Sequence, residues 1–320
     1  MVLSVTLNPL LERNLFFQNL SQSNRAYREN YSAGGKGINI SRQLNFLGIQ
    51  NHSLTFLGGN KGKIIRSILE KENINFSSIN TKSETREAAL LFDEKNKNLQ
   101  TFFGINSIFT NDEISQFLSK IEKAIINSSI VVFSGSVPSE NCSEIIEKGL
   151  ELCNKYDKIS VLDTYGENLE TLIKLSPTVI HNNKNEIEKY LNVKLDSEND
   201  YQNVLNKFYN NEINLSFITN GKNSFFASKA DFHYKIENPE VEEINPTGSG
   251  DAFLAGIIYG LEKSLIFNDF VKLGSALGAL NASNLEVCKV KLEDAQKLTS
   301  QVTIQEIGKK IKIIDDSPTT

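Results

Sequence analysis

Near the C-terminal third, Asn245-Pro246-Thr247-Gly248-Ser249-Gly250-Asp251 runs straight into the apolar stretch Ala252-Phe253-Leu254-Ala255-Gly256-Ile257-Ile258. The pattern predicts an extended segment over 241–244, a turn of small residues, and a helix from about Ala252. Apolar positions 253, 254, 257, 258 and 261 share one face of that helix. Glycines at a helix start let backbone N–H groups approach a ligand where they lack intrahelical partners and the dipole is positive. Such a place stabilises an anion whose charge grows during a reaction. Asp251 falls in the first turn, beside that anion site, and can accept a proton. An anion hole with an adjacent base is the minimum kit for phosphoryl transfer to a hydroxyl. Alone, Gly248 and Gly250 would equally shape an ordinary turn and Asp251 cap a helix. Other motifs must decide.

A second constellation is Ser32-Ala33-Gly34-Gly35-Lys36-Gly37-Ile38-Asn39-Ile40-Ser41-Arg42. It is not a P-loop, because Gly37 rather than Ser or Thr follows Lys36, and it lacks the dinucleotide spacing. What remains is a glycine cluster opening a helix, with Lys36 and Asn39 projecting near its start. Close backbone approach, one cation and one amide suit a polyhydroxylated anionic ligand. The histidines at 52, 181 and 233 form no zinc-like pair. Cys142, Cys153 and Cys288 show no C-x-x-C spacing and read as free, buried thiols of a reducing, cytoplasmic compartment.

The elements that position these motifs alternate along the chain. Segments 2–7, 54–57, 130–133, 160–162, 178–180 and 215–218 read as short apolar strands. Helical patterns over 37–48, 142–153 and others lie between them. Such alternation calls for a mostly parallel sheet covered on both faces. Segments 88–92 and 99–103 read as a hairpin, and 224–227 with 232–236 as a late edge hairpin. Two long helices, from Ala252 and from Asp269, are expected to end the core. Phe102, Phe103, Phe109 and Phe117 are expected in packing roles.

At 320 residues the chain suits one α/β domain with a small appendage. A net charge of −5 gives no footprint for nucleic acid, and no apolar run reaches the roughly 20 residues that span a bilayer. No nucleic-acid or membrane partner is expected.

Together the motifs resemble the ribokinase-like, or PfkB, carbohydrate kinases. They look most like the branch containing 1-phosphofructokinase and tagatose-6-phosphate kinase. The resemblance is carried by Val5-Thr6-Leu7-Asn8-Pro9, the glycine-lysine segment and Gly248–Asp251. Glu84-Thr85-Arg86, Ser134-Gly135-Ser136-Val137-Pro138, Leu162-Asp163-Thr164 and Asn183-Lys184-Asn185-Glu186 lie between them in the expected order. It implies a three-layer α/β/α sandwich, taken as a single domain over 1–320. A small β lid would come from within about 10–31 and 86–104. It implies ATP and Mg²⁺ as cofactors, a sugar phosphate as substrate, and a homodimer through the lid edges.

Residue roles follow from the same resemblance. Asp251 would be the general base, and the backbone of Gly248, Ser249 and Gly250 the anion hole. Asn183 and Glu186 would organise Mg²⁺, largely through water. Thr219, Gly221 and Asn281 would line the nucleotide pocket. Glu12, Gly35, Lys36, Asn39 and Arg86 would form the sugar-phosphate site, with Lys36 and Arg86 as a cation pair on the substrate phosphate. The chain departs from the family pattern at Glu12 (usually Asp), His181-Asn182 (usually Lys-Pro), Ser224 (usually Gly) and Ile105 (often Pro). The sugar-side motif favours fructose 1-phosphate, with tagatose 6-phosphate as the alternative. A non-catalytic sensor would have no need of Asp251.

Overall fold

Strands and helices alternate from the first residues in the computed structural model, which describes residues 1–21 and 24–308. The N-terminal part runs β1 (Val2–Thr6), β2 (Leu10–Phe17), β3 (Arg28–Gly34), α1 (Lys36–Phe46), β4 (Asn51–Gly58), α2 (Gly59–Lys71) and β5 (Phe76–Thr81). Next come β6 (Arg86–Asp93), β7 (Asn98–Phe103), α3 (Asn111–Ile126), β8 (Ile130–Ser136), α4 (Ser143–Lys155), β9 (Ile159–Tyr165) and α5 (Leu169–Ile173). Then follow β10 (Val179–Asn183), α6 (Lys184–Tyr190), α7 (Glu198–Asn210), β11 (Leu215–Thr219), β12 (Phe225–Lys229) and β13 (Phe232–Glu237). The chain closes with α8 (Ser249–Glu262), α9 (Phe267–Ala282), α10 (Leu292–Leu298) and β14 (Thr303–Ile307).

Strand β1 shows the rule that builds the core. Its Leu3 and Val5 enter one apolar cluster and its Val2 the opposite one. In β8, Val131 and Phe133 go one way, Ile130 and Val132 the other. Successive side chains point to opposite faces, so strands apolar on both faces must be covered on both. Helices α3, α4 and α7 cover one face, while α1, α8 and α9 cover the other. The sheet has the order β14-β13-β12-β11-β10-β9-β8-β1-β4-β5. Pairing is parallel from β11 to β5 and antiparallel at the β12–β14 edge.

A second sheet, ordered β3-β2-β6-β7, is inserted into this frame. Leu10, Phe16, Ala88, Leu90 and Phe92 form a small apolar cluster on one of its faces. The chain crosses between the sheets at four places: Leu7-Asn8-Pro9, Gly34-Gly35, Thr85-Arg86 and Phe103-Gly104-Ile105.

Helix α8 is buried almost all round, not along one stripe. A Cβ on Gly256 would lie 2.6 Å from Gly274 Cα, so α8 and α9 meet backbone to backbone. That contact fixes the helix that carries Asp251. The helix begins at Ser249, three residues earlier than the apolar pattern suggests, because Gly248 takes a left-handed conformation (φ 76°) and caps it. Residues 241–244 are not a strand. Ile244 and Asn245 N–H instead donate to Ala282 O at the end of α9. Nor do two helices end the core: α10 and the edge strand β14 follow them. No helix among the described residues is long and apolar enough to cross a membrane.

Candidate active site

The C-terminal ends of β1, β8, β9, β10 and β11 open into a cavity of about 910 Å³. Strand ends in open α/β sheets leave such a crevice because side chains and loops diverge there. Asn8, Gly35 and Arg86 line it from the second-sheet side, and Thr219 and Gly221 from β11 and its turn. Gly248, Ser249, Gly250 and Asp251 line the same cavity.

Asp251 is 5% exposed, and its Oδ2 accepts a 2.8 Å hydrogen bond from Asn39 Nδ2. Burial, then the nearby Asp163 charge, pushes its carboxyl up from 3.8 to about 7, against the pull of Lys36 and Asn39. The group is poised to take a proton near neutral pH. Next to it, Gly248 must be glycine. Its φ is left-handed, and a Cβ there would sit 2.4 Å from Val287 Cγ1. Gly250 is tight as well, since a Cβ would lie 3.3 Å from His181 Cε1. Asn281 does not line the cavity. It staples the turn from behind, donating to Thr247 O and Ser249 Oγ and accepting from Cys288 N–H.

Asp163, at the end of β9, is the electrostatic centre behind this turn. Burial alone would raise it, but Lys36 and His181 hold it below the usual carboxylate range. Its Oδ1 accepts from Lys36 Nζ at 3.3 Å and from His181 Nδ1 at 2.9 Å, and Ser134 donates to its other oxygen. His181 Nε2 lies 3.3 Å from Thr219 Oγ1 on the neighbouring strand. Lys36 also bonds Glu186 at 3.0 Å. Burial works against its charge, yet Asp163 and Glu186 raise its pKa well above that of a free lysine.

Lys36 and Arg86 therefore do not act as a matched cation pair. Lys36 already has two anions, and the case for a phosphate-bearing substrate rests on Arg86. That guanidinium bonds Asn8 O at 3.0 Å and lies 5.8 Å from the Phe103 ring, without an ion-pair partner among the described residues. Its Nε, Thr6 Oγ1 and Asn8 Oδ1 are buried polar atoms without hydrogen-bond partners among the described residues, all on residues that line the cavity. Unmet groups of that kind are costly unless a ligand satisfies them. Phe103, expected in packing, is exposed and lines the cavity, whereas Phe109 and Phe117 are buried in the core. Glu12 does not line it either. It is buried against Gly34, takes a 2.8 Å bond from Ser32, and has its carboxyl raised by burial.

Asn183 and Glu186 form a capping box at the start of α6. Asn183 Oδ1 accepts from Glu186 N–H, and Glu186 Oε2 accepts from Asn183 N–H. Asn183 lines the cavity. Glu186 has both oxygens engaged, by Lys36 on one side and by Asn183 and Asn182 on the other.

The family model of the pfkB family carbohydrate kinases matches residues 6–294. The chain belongs to this family. A tagatose-6-phosphate kinase from Staphylococcus epidermidis is 27% identical over 96% of the chain and 100% of the relative. A 1-phosphofructokinase from Borreliella burgdorferi is also 27% identical, over 96% and 99%. Among solved structures, one described as a possible 1-phosphofructokinase from Thermotoga maritima aligns with a TM-score of 0.85 at 26% identity, covering 96% and 99%. Phosphofructokinase-2 from Escherichia coli aligns at 0.86 over 93% and 98%; at 21% identity it speaks for the fold alone.

In this pfkB-family carbohydrate kinase, a phosphotransferase, three site groups carry no role in the sequence reading: Asp163, which enters it only within a motif, His181, which enters it as a departure, and Asn106. Asp163 and His181 sit at the C-terminal ends of adjacent parallel strands, and that rule could have flagged them. Asn106 accepts from both Asn8 and Arg86, through a pairing nearly a hundred residues apart that no local pattern encodes.

Proposed function

We propose that this kinase moves the γ-phosphoryl group of ATP onto a hydroxyl of a ketohexose phosphate, with fructose 1-phosphate as the favoured acceptor. One observation carries the reading: a buried carboxyl with pKa about 7 stands in the first turn of the glycine-opened helix, inside a cavity lined from both ends. Asp251 takes the proton as the acceptor O–H bond breaks. The acceptor oxygen then bonds to the γ-phosphorus while the bond from phosphorus to the β,γ-bridging oxygen breaks, and ADP leaves. N–H groups after Gly248 hold the charge of the transferring group, and positioning supplies the rest.

Asn183 and Glu186 suit a hydrated Mg²⁺ better than a caged one, because the carboxylate of Glu186 is already shared among protein donors. When bound, the ion would neutralise phosphate charge; these two residues would hold its water shell. Thr219 and Gly221 face the nucleotide, and Arg86, Gly35 and Asn39 the sugar phosphate. The second sheet covers the acceptor and keeps water from competing for ATP. Its outer strands β3 and β7 lack a further neighbour among the described residues, and Tyr31 and Phe102 are exposed there, which supports a homodimer through those edges. A sedimentation mass equal to the monomer at micromolar concentration would remove the dimer. Three buried free cysteines support a cytoplasmic setting.

Parallel kcat/KM measurements on fructose 1-phosphate, fructose 6-phosphate and tagatose 6-phosphate test the substrate. The similarity to a tagatose-6-phosphate kinase makes that sugar the second reading. A tenfold preference for it overturns the first. Turnover of unphosphorylated sugars alone overturns the role given to Arg86.

A further inference from the structure

Asn39 presents one amide to Asp251, and an amide has two unlike ends. Its Nδ2 donates to the carboxylate; its Oδ1 accepts from Arg42 Nη1 at 2.8 Å. Arg42 lies one turn further along α1 and is only 3% exposed. It is held on two other sides: Nε donates to Glu72 Oε2 at 2.9 Å and Nη2 to Ala33 O at 2.7 Å. The three bonds leave three different nitrogens, so the planar guanidinium cannot turn without losing at least one.

A guanidinium has donors and no acceptor, so only the oxygen of Asn39 can face it. The N–H end must then face Asp251. Without Arg42 the amide is free to flip, bringing Oδ1 against Asp251. That arrangement repels a carboxylate and accepts a bond from a protonated carboxyl. We propose that Arg42 is a positioning residue for the base, fixing the Asn39 amide so that an N–H donor always meets the Asp251 carboxylate. This rests on the role given to Asp251 under Proposed function.

Asp251 faces Asp163, Lys36, His181 and Cys288. Arg42 faces Glu72, Glu12 and Cys288. None of these is hydrogen-bonded to the Asn39 oxygen, which takes its bond from Arg42.

The test uses Arg42→Met combined with Glu72→Gln, which removes both partners of the ion pair together. Glu72→Gln alone is the control, since its amide oxygen can still hold Arg42. Asp251 is titrated directly by ¹³C NMR of aspartate-labelled protein, assigned with Asp251→Asn, and the acid limb of kcat/KM is measured alongside. In the double variant both midpoints should rise by about one pH unit, the effect of losing a hydrogen bond to a charged group. Activity at pH 7 then falls about fivefold and recovers by pH 9, as a one-unit shift from near neutrality requires. Glu72→Gln should leave the midpoint unmoved. In an Asn39→Ala background the double change should add nothing, because Arg42 acts through that amide. If the double variant does not fold, Arg42→Lys, whose single nitrogen cannot span acceptors that three separate guanidinium nitrogens now meet, should move the midpoint in the same direction. An unmoved Asp251 midpoint with activity lower at every pH would make Arg42 merely structural. A shift that adds to that of Asn39→Ala would also overturn the proposal. If the NMR midpoint moves but the wild type phosphorylates none of the sugars, the kinase substrate reading falls and the Arg42 assignment stands.

Discussion

Replacing Asp251 by Asn should damage activity and strengthen the fold together. The carboxyl is raised from 3.8 to about 7 chiefly by burial, a gap of about three pH units. At 1.36 kcal/mol per unit, holding it charged in the folded protein costs roughly 4 kcal/mol as a ceiling. The sign follows from the raised value. Below pH 4 the group is protonated whether folded or not and costs nothing. As pH rises from 4 to 7 the unfolded chain loses its proton first, and wild-type stability falls; above 7 the full cost is present. Asparagine carries no such cost. Urea unfolding should therefore show the variant gaining over wild type, by roughly 2–3 kcal/mol more at pH 8 than at pH 5. In the same samples kcat should drop by about 10²–10⁴ with little change in nucleotide affinity, while wild-type kcat/KM rises with pH through about 7. A variant keeping more than about a tenth of wild-type kcat would remove Asp251 from the base role. A stability gain equal at both pH values would refute the burial argument.

Further expectations concern the neighbours of the base. Arg86→Ala should raise KM for the sugar phosphate and leave KM for ATP unchanged in steady-state kinetics; equal effects on both would deny Arg86 its place. Gly248→Ala forces a β-carbon into Val287 at a left-handed backbone position. It should cost about 1–3 kcal/mol in denaturant unfolding, with most of the activity. Lys36→Met strands the carboxylates of Asp163 and Glu186 and should destabilise the protein by about 3 kcal/mol. An unchanged unfolding midpoint would show that Lys36 is not what holds them.

The parallel core was legible because apolar side chains alternate between two covered faces, as at Leu3 and Val5 against Val2. The glycine-opened helix was legible because Gly248 and Gly250 are chemistry as much as conformation. Edge strands were not. In β5 only Ile79 is buried, and β14 is half polar, so both exist through their neighbours rather than their own pattern. At the site, side-chain direction was the hidden variable. Lys36 sits where a substrate cation was expected, but two carboxylates far along the chain, Asp163 on β9 and Glu186 in α6, claim it. Glu12 faces Ser32 rather than the cavity, because β2 and β3 close around it. Such partners are over a hundred residues away for Lys36, beyond the reach of any local periodicity.

The four crossings between the two sheets have a mechanical meaning. Asn8, Gly35, Arg86 and Phe103, one at each crossing, all line the cavity. On the proposed function, the hinges on which the second sheet would swing would be residues set against the acceptor. Gripping the sugar and bringing down the cover would then be a single displacement, and a loosely held sugar would leave the door ajar. On that reading a lineage that retunes its acceptor would also retune how tightly the cover shuts, and leakage of phosphoryl groups to water would be the first symptom of a poorly matched substrate.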